Sequence, residues 1–270
     1  MRLNQDLLKK FLVKFIREEL TKFGFDKGIL GLSGGVDSTV AAFLTSEALG
    51  RENTIALIMP YKESEKSSVK DAVMLAESKG IRYKIIEITP MIDVYFRDNF
   101  IENRIIKGNK MARERMSILY DYSAREKALV IGTSNKTELL LGYGTLWGDM
   151  VSAVNPLGDL YKTQVLELAE YLKIPEKILK KIPSADLWVG QTDEDELGMS
   201  YQEMDKILYL LVDERKSAEE IKNSGFSEEK IFYILEKIRD TQFKRRLPVI
   251  PKLSSRTLSL DFLYFRDWGR

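Results

Sequence analysis

Apolar residues recur at helical spacing over residues 4–23, placing Leu7, Leu8, Phe11, Leu12, Phe15, Ile16 and Leu20 on one face of an amphipathic helix. Downstream the pattern changes. Short apolar or β-branched runs near 28–33, 54–60, 83–89 and 128–133 alternate with helical segments near 38–49, 65–79, 109–125 and 161–172. That alternation predicts an α/β fold, a doubly wound and mostly parallel sheet with helices on both faces. In such sheets ligands bind at the carboxyl ends of the strands, near a topological switch point. Past Pro183 a polar loop gives way to extra helices over 201–212, 217–223 and 227–242. From Pro248 the chain is aperiodic but rich in Leu, Phe and Tyr, and is expected to pack as a C-terminal arm. The expected organisation is one domain over 1–270, with a core over about 20–175, a helical part over about 176–250 and a tail over 251–270.

Composition narrows the chemistry. A chain of 270 residues, 44% hydrophobic and 31% charged, can bury a substantial core. Its net charge of +1 makes no electrostatic case for nucleic acid or an anionic membrane. No apolar run has transmembrane length, and Lys9, Lys10 and Lys14 interrupt the N-terminal helix where a signal peptide would be apolar, so a cytoplasmic location is expected. Cys and His are both absent. Thiol nucleophiles, Zn-thiolate sites and imidazole acid–base catalysis are therefore excluded, leaving carboxylates, Lys and Arg, hydroxyls and hard metal ions.

One segment stands out within that inventory. Gly31-Leu32-Ser33-Gly34-Gly35-Val36-Asp37-Ser38-Thr39 joins a short strand to a helix. A glycine-rich turn there presents backbone N–H groups and a positive helix end to an anion, and the glycines let phosphate oxygens approach closely. No Lys follows the glycines, so this is not the familiar Gly-Lys-Ser/Thr loop. Asp37 stands in the turn instead, which suits a metal ion supplying positive charge beside the phosphates. Lys162 opens a helix, where its charge opposes the dipole, and that placement suits a side chain reaching an anion. Glu138 follows the fourth predicted strand and is the carboxylate such a sheet could bring towards Asp37.

The Ser-Gly-Gly-x-Asp-Ser string resembles the pyrophosphate loop of the N-type ATP pyrophosphatases, which adenylate an acceptor. Further motifs resemble those of the ammonia-dependent NAD synthetases within that superfamily. They are Gly108-Asn109-Lys110-Met111-Ala112-Arg113-Glu114-Arg115-Met116, Gly132-Thr133-Ser134-Asn135-Lys136-Thr137-Glu138, and Pro183-Ser184-Ala185-Asp186-Leu187 continuing to Gln191-Thr192-Asp193-Glu194 and Ser200-Tyr201. They occur in the family's order and span about residues 5–251. The resemblance implies a five-stranded, Rossmann-like sheet of the adenine nucleotide alpha hydrolase type. It also implies amidation of deamido-NAD by ammonia, with ATP split to AMP and pyrophosphate through an adenylated intermediate. By the same resemblance ATP contacts the loop from Gly31 to Ser38 together with Thr133, Lys162 and Ser184. Asp37 and Glu138 are expected to bind Mg²⁺ and, with Lys162, to form the catalytic set. Asn109, Arg115, Lys244 and Phe243 are expected on the deamido-NAD side. Family members are homodimers with the dinucleotide site at the subunit interface, a location the N-terminal helix would suit.

Departures mark where the expectations stop. Leu146 and Ala153 replace a Lys and an Asp that contact the dinucleotide in many family members, and Phe243 replaces a His that can donate a hydrogen bond. Recognition of the pyridine carboxylate therefore differs here. Ammonia is the expected nitrogen donor because a glutaminase needs a further domain and a Cys nucleophile, although a separate glutaminase subunit stays open. Asp149 and Asp186 both remain open as the base that deprotonates ammonium. Two alternatives are another adenylating ATP pyrophosphatase and a non-catalytic nucleotide-binding module of the universal-stress type; the second leaves Asp37, Glu138 and Lys162 without a role.

Overall fold

The computed structural model describes residues 3–99, 103–184, 187–188, 190–246, 248–258 and 260–262. Four strands, β1 (Lys27–Gly31), β2 (Thr54–Ile58), β3 (Arg82–Ile85) and β4 (Ala128–Val130), form a parallel sheet in the order β3-β2-β1-β4. Ile29 of β1 pairs with Ile55 on one side and Val130 on the other. The chain therefore builds outward from β1 through β3, then crosses back to lay β4 against the opposite edge of β1. That reversal puts the switch point between the ends of β1 and β4, the predicted location of a ligand site.

A fifth strand was expected, and among the described residues the sheet has four. Beyond β4 a single parallel bridge joins Ile131 to Val154. Pro156 follows two residues after Val154 and carries no N–H to extend a ladder, so the pairing stops at one bridge.

Successive strand residues point to opposite faces and feed two cores. Leu30, Ala56 and Ile58 join a cluster with α1 (Gln5–Thr21), α2 (Val36–Leu49), α3 (Lys66–Lys79), α7 (Lys162–Tyr171) and α8 (Glu176–Leu179). Ile29, Ile55 and Leu57 join a second cluster with α4 (Thr89–Asp98) and α5 (Arg104–Glu126). Because both faces of the central strands are covered, their sequences read as continuous apolar runs rather than as alternation. Each fully buried Leu or Ile contributes about 1.5–3 kcal/mol by leaving water. The helix over 89–98 was not expected from the apolar pattern, although Pro90 in its first turn is a start signal.

The N-terminal helix forms as expected, but its buried face is narrower. Leu12, Ile16 and Leu20 are buried, whereas Leu7 and Phe11 are 63% and 66% exposed. Leu7 and Phe11 sit one residue before the row containing Leu8 and Leu12, hence about 100° around the helix from the line that meets α2. Of the tail, residues 259 and 263–270 lie outside the described residues; among the others Val249 and Leu253 are each 89% exposed, whereas Thr257 is buried. Pro248 and Pro251 fix the backbone and remove donors, so this stretch has no repeating apolar face to pack.

The extra helices are α9 (Asp193–Leu197), α10 (Tyr201–Leu208), α11 (Ala218–Asn223) and α12 (Glu228–Asp240), with a π turn at Tyr209–Asp213. Met204, Ile207, Leu208, Ile221, Ile231 and Ile234 form a third core with Leu141 of α6 (Lys136–Leu141) and Tyr161. These helices thus pack on the ends of α6 and α7. No helix among the described residues is long and apolar enough to cross a membrane. Ile207→Ala in this third core should lower unfolding free energy by about 2–5 kcal/mol. Leu7→Ala on the exposed row should stay within about 0.5 kcal/mol. Urea titrations of the two variants measure both.

Candidate active site

The loop after β1 is folded by its own hydroxyls. Ser33 donates its backbone N–H to Ser38 Oγ at 3.2 Å, the two hydroxyl oxygens lie 3.0 Å apart, and Gly35 N–H donates to Ser33 Oγ at 3.2 Å. Thr39 Oγ1 donates to the Gly35 carbonyl at 2.7 Å. Gly35 is the N-cap of α2 and brings no side chain to that helix end. Gly34 has φ +82°, and a Cβ there would lie 2.5 Å from the Ser68 carbonyl oxygen of α3. Both the backbone angle and the close approach of α3 require glycine.

Three helix starts converge on this loop. α2 brings Asp37, α6 brings Glu138 and α7 brings Lys162. The Lys162 ammonium is ion-paired with Asp37 Oδ2 and lies 3.9 Å from Glu138 Oε1. Asn135 holds the other half of each carboxylate: its Nδ2 donates to Asp37 Oδ1 at 3.0 Å, and its backbone N–H donates to Glu138 Oε2 at 3.1 Å. Asn135 Oδ1 in turn accepts the Glu138 N–H at 3.0 Å, so Asn135 and Glu138 form a capping box that starts α6. Each carboxylate thus keeps one oxygen tied to Asn135 and turns the other towards Lys162. Asn135 had no role assigned from the sequence, although its spacing to Glu138 is the readable capping-box signal.

Burial and the Asp37 charge push the Glu138 carboxyl up to about 8, with Lys162 acting the other way. Burial alone would depress the Lys162 ammonium, yet Asp37 and Glu138 hold it above its ordinary value. Such a pair of crowded carboxylates suits a divalent cation with hard oxygen preference. Among the described residues no group of three or more Asp, Glu, His or Cys could hold a metal ion. Asp37 and Glu138 therefore fit a divalent cation only as a partial donor set.

Lys162 is set from behind. Its backbone N–H donates to Thr137 Oγ1 at 3.0 Å, and the next amide, Thr163 N–H, donates to Asp205 Oδ2 at 2.8 Å. Asp205 is fully buried and also accepts from Thr137 Oγ1. A carboxylate on the amides of a helix N-terminus is electrostatically well placed, and it offsets the misfit of a lysine there. Tyr201 places its ring 5.2 Å below the Lys162 ammonium. Asp193, Tyr201 and Asp205 belong to the extra helices, and their contacts with α6 and α7 carry no local sequence signal.

A cavity of about 1640 Å³ surrounds this cluster. Ser33, Asp37, Ser38, Thr133, Glu138 and Lys162 line it, as do Gly31, Leu32, Gly35, Val36 and Ser184. Asn109, Arg115 and Lys244 line it too, next to the β2 end at Leu57, Ile58, Met59 and Pro60. Its volume exceeds the range of about 300–1,000 Å³ usual for one small ligand, and so admits two. Arg115 Nε donates to the Met59 carbonyl at 3.0 Å, whereas Arg113 lies exposed and donates to the Leu146 carbonyl at 3.1 Å. Asn109 Oδ1 accepts from Thr145 Oγ1 at 2.8 Å, and the Thr145 N–H donates to Asp149 Oδ1 at 2.8 Å. Asp149 is exposed where it lines the cavity, and partial desolvation of its carboxyl raises it above its ordinary value. Asp186, the other candidate base, lies outside the described residues.

Two expected residues do not line the cavity. Gly34 serves instead as the close contact with α3. Phe243 is 62% exposed, because its neighbours turn inward instead. Lys244 Nζ donates to the Gly142 and Gly144 carbonyls at 2.8 and 2.9 Å, and Arg245 Nη1 donates to the Leu140 carbonyl at 2.8 Å. These cations satisfy the carbonyls at the end of α6 and brace the loop leading to Asp149. Gly34→Ala should add about 1–2 kcal/mol of backbone strain and drive α3 off the loop. The expected result is at least tenfold weaker ATP binding with the bulk of the fold retained, measured by calorimetry and circular dichroism.

Comparisons agree with this geometry. A sequence model of the family described as NAD synthase matches residues 8–248. An NH₃-dependent NAD⁺ synthetase of Trichlorobacter lovleyi is 52% identical over 271 aligned positions, covering 100% of this chain and 99% of that protein. Among solved structures, an NMN synthetase from Francisella tularensis superposes with a TM-score of 0.84 at 35% identity. An NH₃-dependent NAD synthetase from Campylobacter jejuni, in complex with nitrate, gives 0.80 at 35% identity. Both alignments cover 93% of this chain and 100% of the other. With the family model spanning most of its length, and the phosphate loop, carboxylate pair and lysine brought together at the switch point, the chain belongs to the NAD synthase family.

Proposed function

We propose that this ligase amidates deamido-NAD with ammonia in two halves within one cavity, and the observation that carries the reading is the Asp37–Glu138–Lys162 cluster beside the 31–38 loop. In the first half the nicotinate carboxylate attacks the α-phosphorus of ATP, and pyrophosphate leaves. In the second, ammonia attacks the acyl carbon of the adenylate and AMP leaves with the electron pair of the broken C–O bond. Ser33, Ser38 and the backbone of the loop hold the departing phosphates, with Thr133 and Ser184 as further ATP contacts. Lys162 neutralises phosphate charge as it develops. Asp37 and Glu138 would hold Mg²⁺, whose chemistry here is charge neutralisation of the phosphate oxygens. Arg115 and Asn109 belong to the acceptor side, where a guanidinium suits phosphate or carboxylate. Lys244 acts there through the 142–144 backbone, and Phe243 offers at most an exposed apolar surface. Asp149 takes the proton from ammonium, since its carboxyl opens onto the cavity with a raised proton affinity.

A cytoplasmic location fits a Cys-free chain, and residues 1–270 are read as one domain because the third core is built on α6 and α7. A homodimer is supported by apolar side chains left exposed on neighbouring elements: Met91, Val94 and Tyr95 of α4 and Ile105 and Ile106 of α5. Ile105 also lines the cavity, so a partner on this face would stand beside the acceptor side. Light scattering should return twice the chain mass, and Val94→Glu with Ile105→Glu should halve it; a monomeric parent protein refutes the dimer.

Purified protein given ATP, Mg²⁺, ammonium and deamido-NAD should form NAD⁺, AMP and pyrophosphate in equal amounts; no NAD⁺ overturns the reading. Asp37→Asn and Glu138→Gln should each reduce turnover at least a hundredfold with an unchanged circular dichroism spectrum. Because burial and the Asp37 charge push the Glu138 carboxyl up to about 8, holding Mg²⁺ there would require that carboxyl to give up its proton. Mg²⁺ affinity should therefore tighten as pH rises towards that value and level off above it. Glu138→Gln should flatten the dependence in a calorimetric titration.

A further inference from the structure

The Gln191-Thr192-Asp193-Glu194 string is the one motif in the chain that the reaction so far leaves without work. In the structure Asp193 is buried and joins two tyrosines. Its Oδ2 accepts the Tyr201 hydroxyl at 2.9 Å and its Oδ1 accepts the Tyr143 hydroxyl at 3.0 Å. Tyr201 is itself buried, and its ring lies 5.2 Å from the Lys162 ammonium. Tyr143 stands just past α6 on the loop that runs to Asp149 and faces Glu196 Oε2 at 2.6 Å. Gln191 Nε2 completes the chain by donating to Glu196 Oε1 at 3.1 Å. All five side chains line the cavity.

Lysine carries a compact charge on a flexible stem, so its ammonium has no fixed position unless something fixes it. Asp37 and Glu138 do so here, but they are also the pair proposed to hold Mg²⁺. Were Asp37 and Glu138 to hold a divalent cation, Lys162 would share its two nearest counter-charges with it while still enclosed. The Tyr201 ring and the Asp193 carboxylate are what remain: a π face under the ammonium and a negative charge behind it, neither tied to the metal donors. Asp193 also acts electrostatically on Lys162 in the same sense as Asp37 and Glu138.

We propose that Tyr201 and Asp193 are positioning residues for the reaction: the ring of Tyr201 fixes the Lys162 ammonium when substrates are bound, and Asp193 fixes Tyr201. This rests on the reading that Lys162 neutralises phosphate charge. Neither residue touches a reacting atom, so their effect is on turnover and not on acceptor affinity.

Steady-state kinetics of the full chain tests it, with thermal unfolding followed on each variant. Tyr201→Phe keeps the ring and loses only the hydrogen bond; kcat should fall about tenfold, the size expected for one bond to a charged acceptor. Tyr201→Leu removes the π face as well, and kcat should fall a further thirtyfold or so, as for a desolvated cation–π contact. Asp193→Asn keeps an acceptor and loses the charge, and should resemble Tyr201→Phe. In all three, KM for deamido-NAD should stay within about twofold. The ranking Tyr, Phe, Leu in kcat among folded variants supports the proposal. Wild-type kcat in folded Tyr201→Leu or Asp193→Asn overturns it, as does a loss seen only in KM. Should Tyr201→Leu fail to fold, the isosteric Tyr201→Phe and Asp193→Asn decide by the same criteria. Lys162→Met separates the two layers: wild-type turnover there overturns the role of Lys162 itself, whereas a dead Lys162→Met beside fully active Tyr201 and Asp193 variants overturns only the positioning role.

Discussion

A lysine ammonium held almost out of water between two carboxylates is the constraint on which the rest of this structure turns. Taking one unpaired charge from water costs several kcal/mol, and the attraction of a partner offsets that cost only when geometry and hydrogen bonding are both good. Lys162, Asp37 and Glu138 come from three helices separated by long stretches of chain, yet each sits at a helix start. Parallel strands make that convergence possible, because every strand delivers its following helix from the same edge of the sheet. The crossing from β3 back to β4 then opens a crevice between β1 and β4 into which all three side chains reach. Asn135 locks the arrangement by binding one oxygen from each carboxylate.

The C-terminal helices acquire a purpose from the same constraint. They have their own apolar core, and Asp205 and Asp193 among their polar residues bond to α6, α7 or the segment after α6. Asp205 caps the Thr163 amide of α7, Arg245 and Lys244 satisfy carbonyls at and after the end of α6, and Tyr201 with Asp193 stands under Lys162. A loss of packing in that part therefore reaches the lysine without touching any expected ligand contact. Stability and chemistry share these helices.

The cavity wall around residues 142–153 is built differently from the 31–38 loop. Leu146 offers its carbonyl to Arg113, Ala153 pairs its backbone N–H with the Val130 carbonyl, and Phe243 points away from the cavity. Their side chains supply no hydrogen bonds. The polar groups on that part of the cavity wall are Arg115, the chain Asn109–Thr145–Asp149 and a loop braced by Lys244.

Much of the sheet was legible because strand and helix periods differ and glycines punctuate them: the runs near 28–33, 54–60 and 128–133 became β1, β2 and β4 with trimmed ends. The 31–39 loop was legible for a stronger reason, since hydroxyls, glycines and an acid at fixed spacing make an anion-binding turn through local contacts alone. Glu138 and Lys162 could be singled out by type and position, one after a strand and one at a helix start. Their distance from Asp37 could not, nor could the exposure of Phe11, the missing fifth strand or the partners Asp193, Tyr201 and Asp205. Those depend on which faces meet across sequence separations such as 98 from Asp37 to Asn135 or 125 from Asp37 to Lys162. By itself the sequence determined the local turns, the element order and the chemistry available in a chain without Cys or His. Tertiary structure alone decided which charges share a buried volume, because burial and pairing are properties of the packed whole and not of any segment.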